Sequence, residues 1–372
     1  MSEQSVATFY HAETTDVVRC REIANAVQSI ISGLSVDCFL SENGRQVVFR
    51  CAHSSSLTRS SATVLIRQFL RTHLDAAADV GYGGLRAIVF ANEKGGVAKT
   101  SSCLNVATCL AMLGRRVLLI DLDAQANATL GLGRDAAHPS SQPEKLLSEP
   151  MFPLQSAIVR TDTPNLDLIP AGPTLHHANS SLVSSVGREL KLRTKLIRYL
   201  DMPGAQAYDY VMIDSPPAAD LLTLNALMAA THLIVPVQAS YYSLSGMSRL
   251  SATLDSLYDA LDPKIQLLGI LVTMYNGDLP AQRAVLELLR ERVCREFGPF
   301  VFSTTIDHCD SVNESEAAQR PVVMTHPDSA AAQAYRRLAH EVLDRVEGSA
   351  PAALPPDRAT TVLPSPAQQD LY

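Results

Sequence analysis

The chain has 372 residues, and 47% of them are hydrophobic, which is enough to bury the core of one large domain or two ordinary ones. Its 31 basic and 38 acidic side chains give a formal charge of −7, so the whole chain has no basic field for nucleic acid, although a local basic face is compatible with this balance. The seven cysteines form no C-x-x-C pair, which favours reduced thiols in a cytoplasmic protein over disulfides or a metal site. We expect neither a signal peptide nor a membrane span, because the first residues lack a basic region before an apolar run and the longest apolar stretch, 221–237, is interrupted by polar residues.

Residues 1–80 are predicted to form a small domain of their own, with the element order α-β-β-α. Apolar residues at helical spacing predict a helix over residues 16–34. The stretches VDCFL and RQVVFRC predict two strands, and the Asn43-Gly44 dipeptide between them is typical of a hairpin turn.

A second helix is predicted to complete this domain over residues 60–74. The sequence GYGG at residues 81–84 indicates a flexible linker to the rest of the chain. At the other end, residues 349–372 contain five prolines and few large apolar side chains, which predicts a disordered tail.

Residues 85–348 have a different pattern, in which short and almost continuous apolar runs alternate with helix-length segments. Strands that are buried on both faces of a parallel sheet have such runs. The alternation predicts a doubly wound, mostly parallel α/β sheet, with its first helix over residues 100–113. The apolar runs are LRAIVF, RVLLID, LDLIP, YVMID, HLIVPV, LLGILVTM and FVFS.

The stretch FANEKGGVAKTSS, residues 90–102, lies between the first of these strands and the first of these helices. Backbone N–H groups in a glycine-rich turn before a helix form a site for an anion such as phosphate. Gly95 and Gly96 supply backbone freedom at a place where a Cβ would crowd the phosphates. A Gly-Gly pair alone is also common in purely structural turns, so the strand-loop-helix setting carries most of this prediction.

Two side chains after the glycines have the chemistry of a phosphate site. Lys99 would neutralise the charge of the β- and γ-phosphates, and the Thr100 hydroxyl would bind Mg²⁺. The usual Walker A spacing, G-x-x-x-x-G-K-[ST], is nevertheless not met, because its two glycine positions fall on Glu93 and Ala98.

Carboxylates follow two further buried strands. Asp121 and Asp123 lie at the end of the run VLLID, and Asp214 ends the run YVMID. A single Asp at a strand end is more often a helix cap. Three strand ends that carry Lys-Thr, Asp-x-Asp and Asp together predict one magnesium–nucleotide site at the carboxyl edge of the sheet.

Several longer stretches now make a specific resemblance visible, and it extends over residues 86–346 but not to anything before residue 85. Together they resemble the ParA/Soj family of partition ATPases, within the MinD/ParA class of P-loop ATPases. The resemblance implies a P-loop NTPase fold, Mg²⁺-dependent ATP hydrolysis and an ATP-sandwich homodimer. The stretches are KGGVAKTSS, VLLIDLDAQANATLGLG, YDYVMIDSPPAADLLTLNALMAATHLIVPVQASYYSLSGMSRL and GILVTMYNGD.

The resemblance also explains the missing glycine at Glu93, because this family uses a deviant Walker A motif, Lys-Gly-Gly-x-x-Lys-[Thr/Ser]. Lys94 matches the lysine that reaches across the dimer to the partner subunit's nucleotide, in the manner of an arginine finger. Lys94 and Lys99 are the two catalytic lysines that the resemblance implies. The implied nucleotide-binding residues are Gly95, Gly96, Val97, Ala98, Lys99, Thr100 and Ser101.

The acidic residues receive their roles from the same resemblance. Asp123 matches the carboxylate that orients or activates the attacking water. Asp121 and Asp214 join Thr100 as implied residues of the magnesium shell, and Asp214 also begins the second switch. The stretch STTIDHCDSVNESEAAQRPVV, residues 303–323, resembles the family segment that closes over the adenine side.

Two positions depart from the family pattern. Ala98 stands where the family usually has glycine, and an alanine there is tolerated if its φ is negative but adds strain of about 1 kcal/mol if its φ is positive. Ala124 stands where the family usually has proline, and we expect it to loosen the first switch and so to affect hydrolysis more than binding.

Basic residues near the dimer edge are candidates for the non-specific DNA binding that the resemblance implies. The alternative is a solvated helix, because acidic residues alternate with the arginines in AQRAVLELLRERVCREF. The stretch GRELKLRTKLIRYL is either a second basic face or a solvated helix. The DNA candidates are Arg283, Arg290, Arg320 and Arg336, with Arg292, Arg295 and Arg337 as further members of the group.

The resemblance implies a DNA-segregation cycle, in which the ATP dimer binds DNA on the nucleoid and a ParB-like partner stimulates hydrolysis and releases it. A membrane-cycling MinD-type role is disfavoured by the proline-broken C-terminus. A nucleotide-dependent scaffold that positions a protein cluster or a secretion machine stays open. The domain of residues 1–80 is interpreted as a partner-binding or dimerisation module, with operator-DNA binding through Arg59, Arg67 and Arg71 as the alternative.

Overall fold

A computed structural model describes the chain over residues 6–12, 34–40, 47–53, 86–135, 143–200, 206–218, 220–240, 265–297 and 300–347, with positions 18, 20, 21, 24, 25 and 202. The described residues fall into two compact units, one before residue 79 and one from 79 to 347.

The small unit contains a three-stranded antiparallel sheet in the order β1-β3-β2. Its strands are β1 (Val6–Ala12), β2 (Leu34–Leu40) and β3 (Val47–His53). The described positions between residues 18 and 25 are helical, and Cys20 and Ala24, four residues apart, are both buried.

Strand β1 corrects the predicted order α-β-β-α, because it precedes the helical positions. Its residues, VATFYHA, suit a strand, but its partner is β3, which is distant in the sequence. Such a non-local pairing leaves little local signal. The predictions for residues 60–74, 81–84 and 349–372 lie outside the described residues.

The large unit has an eight-stranded sheet in the order β11-β10-β9-β4-β8-β5-β7-β6, and this confirms the predicted fold class. All neighbours are parallel except β6 and β7, which are antiparallel. The two-residue strand β6 has no counterpart among the predicted runs. The strands are β4 (Arg86–Phe90), β5 (Val117–Asp121), β6 (Val159–Arg160), β7 (Leu166–Ile169), β8 (Tyr210–Asp214), β9 (His232–Gln238), β10 (Gln266–Tyr275) and β11 (Val301–Asp307).

Helices connect these strands, and the first begins one residue earlier than predicted. Gly114, with φ 84°, follows its last turn, in the conformation that a glycine adopts most readily. Among the described residues, no helix is long and apolar enough to cross a membrane. The helices are α1 (Lys99–Met112), α2 (Asn127–Leu130), α3 (Pro143–Ser148), α4 (Leu175–Leu182), α5 (Lys191–Leu200), α6 (Leu221–Ala229), α7 (Pro280–Phe297), α8 (Asp310–Ala317), α9 (Val322–Thr325) and α10 (Ala330–Glu347).

The core lies on both faces of the sheet, which is why the strands have continuous apolar runs. On β4, Ala87 and Val89 belong to one buried cluster, which includes residues of α3 to α6. Ile88 and Phe90 belong to the cluster on the other face, with residues of α1 and α10. Burial on both faces fixes the central strands, and the polar residues gather where these strands end.

Candidate functional site

The ends of three neighbouring strands bring the predicted site together. Asp214 on β8 is in register with Phe90 on one side and with Asp121 on the other. The loop of residues 91–98 continues directly from Phe90 into α1. The loop and the two aspartates therefore share one edge of the sheet, at its carboxyl end.

The glycines of the loop leave room for a ligand. Gly96 has φ 69°, and a Cβ added at Gly95 or Gly96 would meet nothing within 4 Å. Both residues are exposed. The backbone here borders open space at the start of α1, which suits the approach of an anion to its N–H groups.

Ala98 has the conformation that the sequence left undecided. It is the N-cap residue of α1, and its φ of 55° and ψ of 36° lie in the left-handed region. A residue with a Cβ costs about 1 kcal/mol or more in that region. The loop therefore carries the strain that was expected only for a positive φ.

Three polar residues hold the loop in this shape. The Asn92 amide donates to the Pro236 carbonyl at 2.7 Å, and the Thr273 hydroxyl donates to the Val97 carbonyl at 3.0 Å. The Gln238 amide donates to the Gly96 carbonyl at 2.7 Å. None of these residues was predicted as part of the site. Their only signal is a polar side chain within or after an apolar run, as in HLIVPVQ and LLGILVTM.

Lys99 is buried at the first position of α1, and its ammonium donates to the Lys94 carbonyl at 3.1 Å. Burial lowers the pKa of Lys99 from its usual value, while the Asp214 and Asp123 carboxylates oppose that shift. The ammonium thus lies between the loop backbone and the acidic residues, where a phosphate would meet it.

Asp214 is fully buried, and neither of its carboxylate oxygens has a hydrogen-bond partner of ordinary geometry. Burial raises the pKa of Asp214 well above its usual value, the Asp121 charge raises it further, and the Thr100 hydroxyl opposes the rise. A buried carboxylate without a donor is costly unless a cation compensates it. Oxygen ligands from Asp214 and Thr100 fit Mg²⁺.

Asp121 has a structural task. Its Oδ2 accepts from the Thr129 backbone N–H at 2.9 Å and the Thr129 hydroxyl at 2.8 Å, and its Oδ1 accepts from the Asp123 N–H at 3.1 Å. Burial raises the pKa of Asp121 to about 6, and these hydrogen bonds oppose the rise. Asp121 therefore ties the chain after β5 to α2, and Thr129 is a residue of the site that was not predicted.

Asp123 is less buried and begins a tight turn. Its Oδ1 accepts from the Gln125 N–H at 3.0 Å, and its carbonyl accepts from the Ala126 N–H at 2.8 Å. Its charge acts on both Lys99 and Asp214. Asp123 thus lies close to the other charged groups, while Ala124, the second departure from the family pattern, is buried beside it.

Lys94 is exposed, and its contacts differ from those of Lys99. Its ammonium donates to Gln238 Oε1 at 3.2 Å, and its backbone N–H donates to Asn92 Oδ1 at 3.0 Å. Its carbonyl, by contrast, faces Lys99.

Ser101 connects the loop to the segment predicted to close over the adenine side. Its hydroxyl donates to Glu316 Oε1 at 2.8 Å, and Glu316 lies on α8 within residues 303–323. A hydroxyl has one proton to donate, so this bond and a bond from Ser101 to a phosphate exclude each other.

The arginines predicted to bind DNA lie on several elements. Arg283 and Arg290 belong to α7, where Arg283 donates to the Gly277 carbonyl and Arg290 pairs weakly with Glu287 at 3.5 Å. Arg320 is exposed after α8. Arg336 donates to the Pro327 carbonyl at 2.7 Å, so its guanidinium is partly used by the fold. Arg337 is exposed on α10, and the side chains of Arg292 and Arg295 lie outside the described ones.

Basic side chains of the stretch GRELKLRTKLIRYL bind backbone carbonyls of their own unit. The sequence predicted either a second basic face or a solvated helix, and neither interpretation included such contacts. Lys195 is buried and donates to the carbonyls of Glu149, Pro150 and Phe152. Lys191 donates to the Val186 carbonyl, and further basic contacts involve Arg188 and Arg198. The basic side chains of this stretch therefore bind the backbone carbonyls of segments that lie next to α5.

Comparison with known proteins finds a matching family model and matching relatives. A family model described as an AAA domain matches residues 85–267. The chromosome-partitioning ATPase Soj of Thermus thermophilus is 41% identical over 71% of this chain and 97% of its own length. The chromosome partitioning protein ParA of Caulobacter vibrioides is 35% identical over 70% of this chain and 95% of its own length.

The chain is also similar to a solved structure. It is a cobyrinic acid a,c-diamide synthase from Mycobacterium smegmatis with bound ADP and magnesium. The TM-score is 0.59 and the identity 32%, and the match covers 71% of this chain and 96% of that one.

Proposed function

The chain belongs to the ParA/Soj family of P-loop partition ATPases, and we propose that it binds ATP with Mg²⁺, dimerises around the nucleotide, binds DNA non-specifically as the ATP dimer and is released after hydrolysis. The observation that carries the proposal is the fully buried Asp214 carboxylate beside Lys99 and Thr100, because neither of its oxygens has a hydrogen bond of ordinary geometry. Such a carboxylate destabilises the fold when it is uncompensated, and a bound cation would compensate it.

The loop binds the phosphates in this proposal. The open backbone around Gly95 and Gly96 accepts them, and the buried ammonium of Lys99 offsets their charge. Thr100 and Asp214 would hold Mg²⁺, which would help to neutralise the charge of the phosphates. Asp121 is the third proposed residue of the magnesium shell, and through Thr129 it holds in place the segment after β5 that carries Asp123 and Ala124.

Hydrolysis requires a water aligned with the γ-phosphate, and Asp123 is the proposed residue that orients it. Asp123 is less buried than Asp121 and Asp214, and its charge reaches Lys99. A carboxylate at that position accepts a hydrogen bond from the water and sets its direction. We expect slow hydrolysis, because this part of the site lies on a short turn with Ala124 in place of proline.

The exposed Lys94 is the residue that connects nucleotide binding to dimerisation in this proposal. Its ammonium lies outside its own phosphate site, held by Gln238. In the proposed dimer it contacts the nucleotide of the second subunit, so positive charge reaches the phosphates only after assembly. ATP binding and dimerisation are thereby coupled.

The proposed cycle includes DNA and a partner protein. Arg283, Arg290, Arg320 and Arg336 are the proposed DNA contacts, and a ParB-like partner stimulates hydrolysis. The protein is then cytoplasmic and associates with the nucleoid in its ATP form. The small unit before residue 79 is proposed to bind a partner or assist dimerisation.

Co-sedimentation with DNA tests this proposal. With ATP and Mg²⁺ we expect wild-type protein to sediment with DNA, Lys94→Ala to stay in solution, and Asp123→Ala to sediment for longer because its dimer persists. Lys145→Ala on α3 is the matched control, since it removes one lysine outside the loop.

Two results would contradict the proposal. Wild-type protein that forms ATP dimers but ignores DNA favours a positioning scaffold. Wild-type protein that binds DNA equally with ATP, with ADP and without nucleotide removes the link between the nucleotide site and DNA.

A further inference from the structure

Gln238, the last residue of β9, contacts the nucleotide loop at two points. Its Nε2 donates to the Gly96 carbonyl at 2.7 Å, and its Oε1 accepts from the Lys94 ammonium at 3.2 Å. Its Nε2 also donates to the Met274 thioether at 3.0 Å. The partners on the two ends of the amide differ in kind, so they define which end carries the oxygen.

Met274 reaches Gln238 from a strained position. Its φ is 50°, and the pairing of β10 with β11 shifts register between Thr273 and Tyr275. A methionine in the left-handed region costs about 1 kcal/mol, and such strain persists where the surroundings hold it. The adjacent Thr273 donates to the Val97 carbonyl, so the end of β10 contacts the loop directly through Thr273 and indirectly through Met274 and Gln238.

This arrangement separates Lys94 from the acidic residues. In the sheet, β4 lies between β9, which carries Gln238, and β8, which carries Asp214. An unheld ammonium on the intervening loop would be drawn towards the carboxylates of Asp123 and Asp214. Gln238 is neutral, so its bond to the ammonium is weaker than an ion pair and exchanges more readily for a phosphate oxygen.

We propose that Gln238 is a positioning residue for Lys94. It holds the ammonium on the β9 side of the loop, away from the carboxylates of its own subunit and available to the nucleotide of a second copy. This inference rests on the proposed action of Lys94 across the dimer. Preorganisation of a long side chain reduces the conformational entropy lost on assembly.

Two substitutions distinguish the contact of the Gln238 oxygen with Lys94 from the contact of its nitrogen with Gly96. Gln238→Ala removes the contacts with both Lys94 and Gly96. Gln238→Glu keeps an acceptor for Lys94 but removes the donor to Gly96, and its charge forms an ion pair that competes with phosphate. Gln333→Ala is the matched control, because it removes an exposed amide of α10 that donates to the Asp328 carbonyl just before that helix.

The first measurement uses the nucleotide-free protein, so it does not depend on dimerisation. The rate at which an acetylating reagent modifies Lys94, followed by mass spectrometry, should rise by about threefold or more in Gln238→Ala, the change expected when one hydrogen bond is removed. Gln333→Ala should react like wild type. An unchanged rate in Gln238→Ala would overturn the proposal.

The second measurement is a double-mutant cycle on dimerisation with ATP and Mg²⁺, followed by sedimentation velocity in the Asp123→Ala background. Both Gln238 variants should weaken the dimer about tenfold while monomer affinity for ATP changes less than about threefold. The Lys94→Ala corner of the cycle is measured at protein concentrations high enough for its weakened dimer to be detected, and there Gln238→Ala should have no further effect.

The outcomes distinguish this inference from the proposed function. A Gln238→Ala effect that persists without Lys94, or an equal loss of ATP affinity, means that the amide only supports the loop, and this overturns the positioning role. A reference protein that never dimerises with ATP sinks the proposed function instead, and the acetylation rates then decide whether Gln238 holds Lys94.

Discussion

Ala98 has its methyl group in a backbone conformation that glycine adopts freely, with φ 55°. The strain lies directly before Lys99, so it is stored in the loop that would hold the phosphates. The loop keeps this shape because Thr273 and Gln238 bind the carbonyls of Val97 and Gly96. The residue at position 98 therefore affects stability and nucleotide binding together.

We expect Ala98→Gly to raise the free energy of unfolding by about 1 kcal/mol, and the unfolding midpoint by roughly 2 °C, because it removes the left-handed strain. Nucleotide affinity should stay equal or increase. Thermal unfolding without nucleotide measures the first effect. Ala284→Gly on the exposed side of α7, where glycine costs about 1 kcal/mol in a helix, should have the opposite sign. Equal destabilisation by both changes would contradict the strain at Ala98.

Asp214 gives a prediction about pH in the absence of Mg²⁺ and nucleotide. Because burial raises its folded-state pKa, the folded protein holds a proton that the unfolded chain has already released, and stability falls as pH rises from the ordinary aspartate value towards the raised one. The Asp214→Asn variant does not lose stability in this way, because its side chain does not ionise. It should be more stable than wild type by roughly 2 kcal/mol at pH 8, with the difference vanishing near pH 4.

Unfolding midpoints measured across that pH range test this expectation, and parallel profiles for the two proteins would count against it. The same variant should lose the part of nucleotide affinity that depends on Mg²⁺, while affinity in EDTA changes little. Increased stability together with a reduced magnesium response is the pattern expected of a functional carboxylate.

At the scale of elements, α8 stands out because it contacts the start of α1 through the hydrogen bond from Ser101 to Glu316. Glu316 is exposed, so this bond is accessible to change. A nucleotide that uses the Ser101 hydroxyl has to displace the carboxylate, and the negative charge nearby opposes the phosphates.

Glu316→Ala should therefore tighten nucleotide binding about threefold to tenfold, as expected when one competing hydrogen bond is removed. Glu314→Ala on the same helix is the matched control, because Glu314 pairs with His326 at 3.0 Å. Titration with a fluorescent ATP analogue measures both affinities. Weaker binding in Glu316→Ala would mean that Glu316 contacts the nucleotide favourably.

Much of the element pattern could be predicted, and the exceptions have physical causes. The apolar runs predict β4, β5 and β7 to β11. For β4, β5 and β7 to β10 the reason is burial on both faces, whereas burial alternates along the edge strand β11 and only its first residues form an apolar run. Strand β6 is only two residues long, and β1 pairs with a distant strand, so neither leaves a local period.

The site was predictable in the same uneven way. Lys99, Thr100 and the aspartates follow from motif and strand position. The conformation of Ala98 does not, because it depends on Thr273, which is 176 positions away from Val97. The tasks of Asn92, Gln238 and Thr129 likewise arise from tertiary interactions that no local pattern encodes.

At the scale of the whole molecule, the positions of the basic residues matter more for DNA binding than the formal charge of −7. Lys191 and Lys195 of α5 bind backbone carbonyls of their own surroundings, whereas Arg320 is exposed after α8, and Arg283 on α7 is exposed although it contacts the Gly277 carbonyl. Non-specific DNA binding, if it follows the proposed route, should depend on the second group and not on the first.

Replacing Arg283 and Arg320 by Ala should weaken ATP-dependent DNA retention and lower the slope of log affinity against log salt by about 1 for each DNA phosphate that the protein no longer neutralises. Lys191→Ala with Arg198→Ala, on α5, is the control with the same change in charge. Filter binding at several salt concentrations gives the slopes. Equal slopes for the two double variants would move the DNA site elsewhere.

The most direct test of the two-subunit site is complementation between two inactive variants. Lys94→Ala keeps Asp123, and Asp123→Ala keeps Lys94, so a mixed dimer contains one complete site if Lys94 acts across the interface. Subunits mixed before ATP is added should regain about a quarter of wild-type hydrolysis, since half of randomly formed dimers are mixed and each has one such site. A mixture that stays as inactive as its components would contradict the action of Lys94 on the partner's nucleotide.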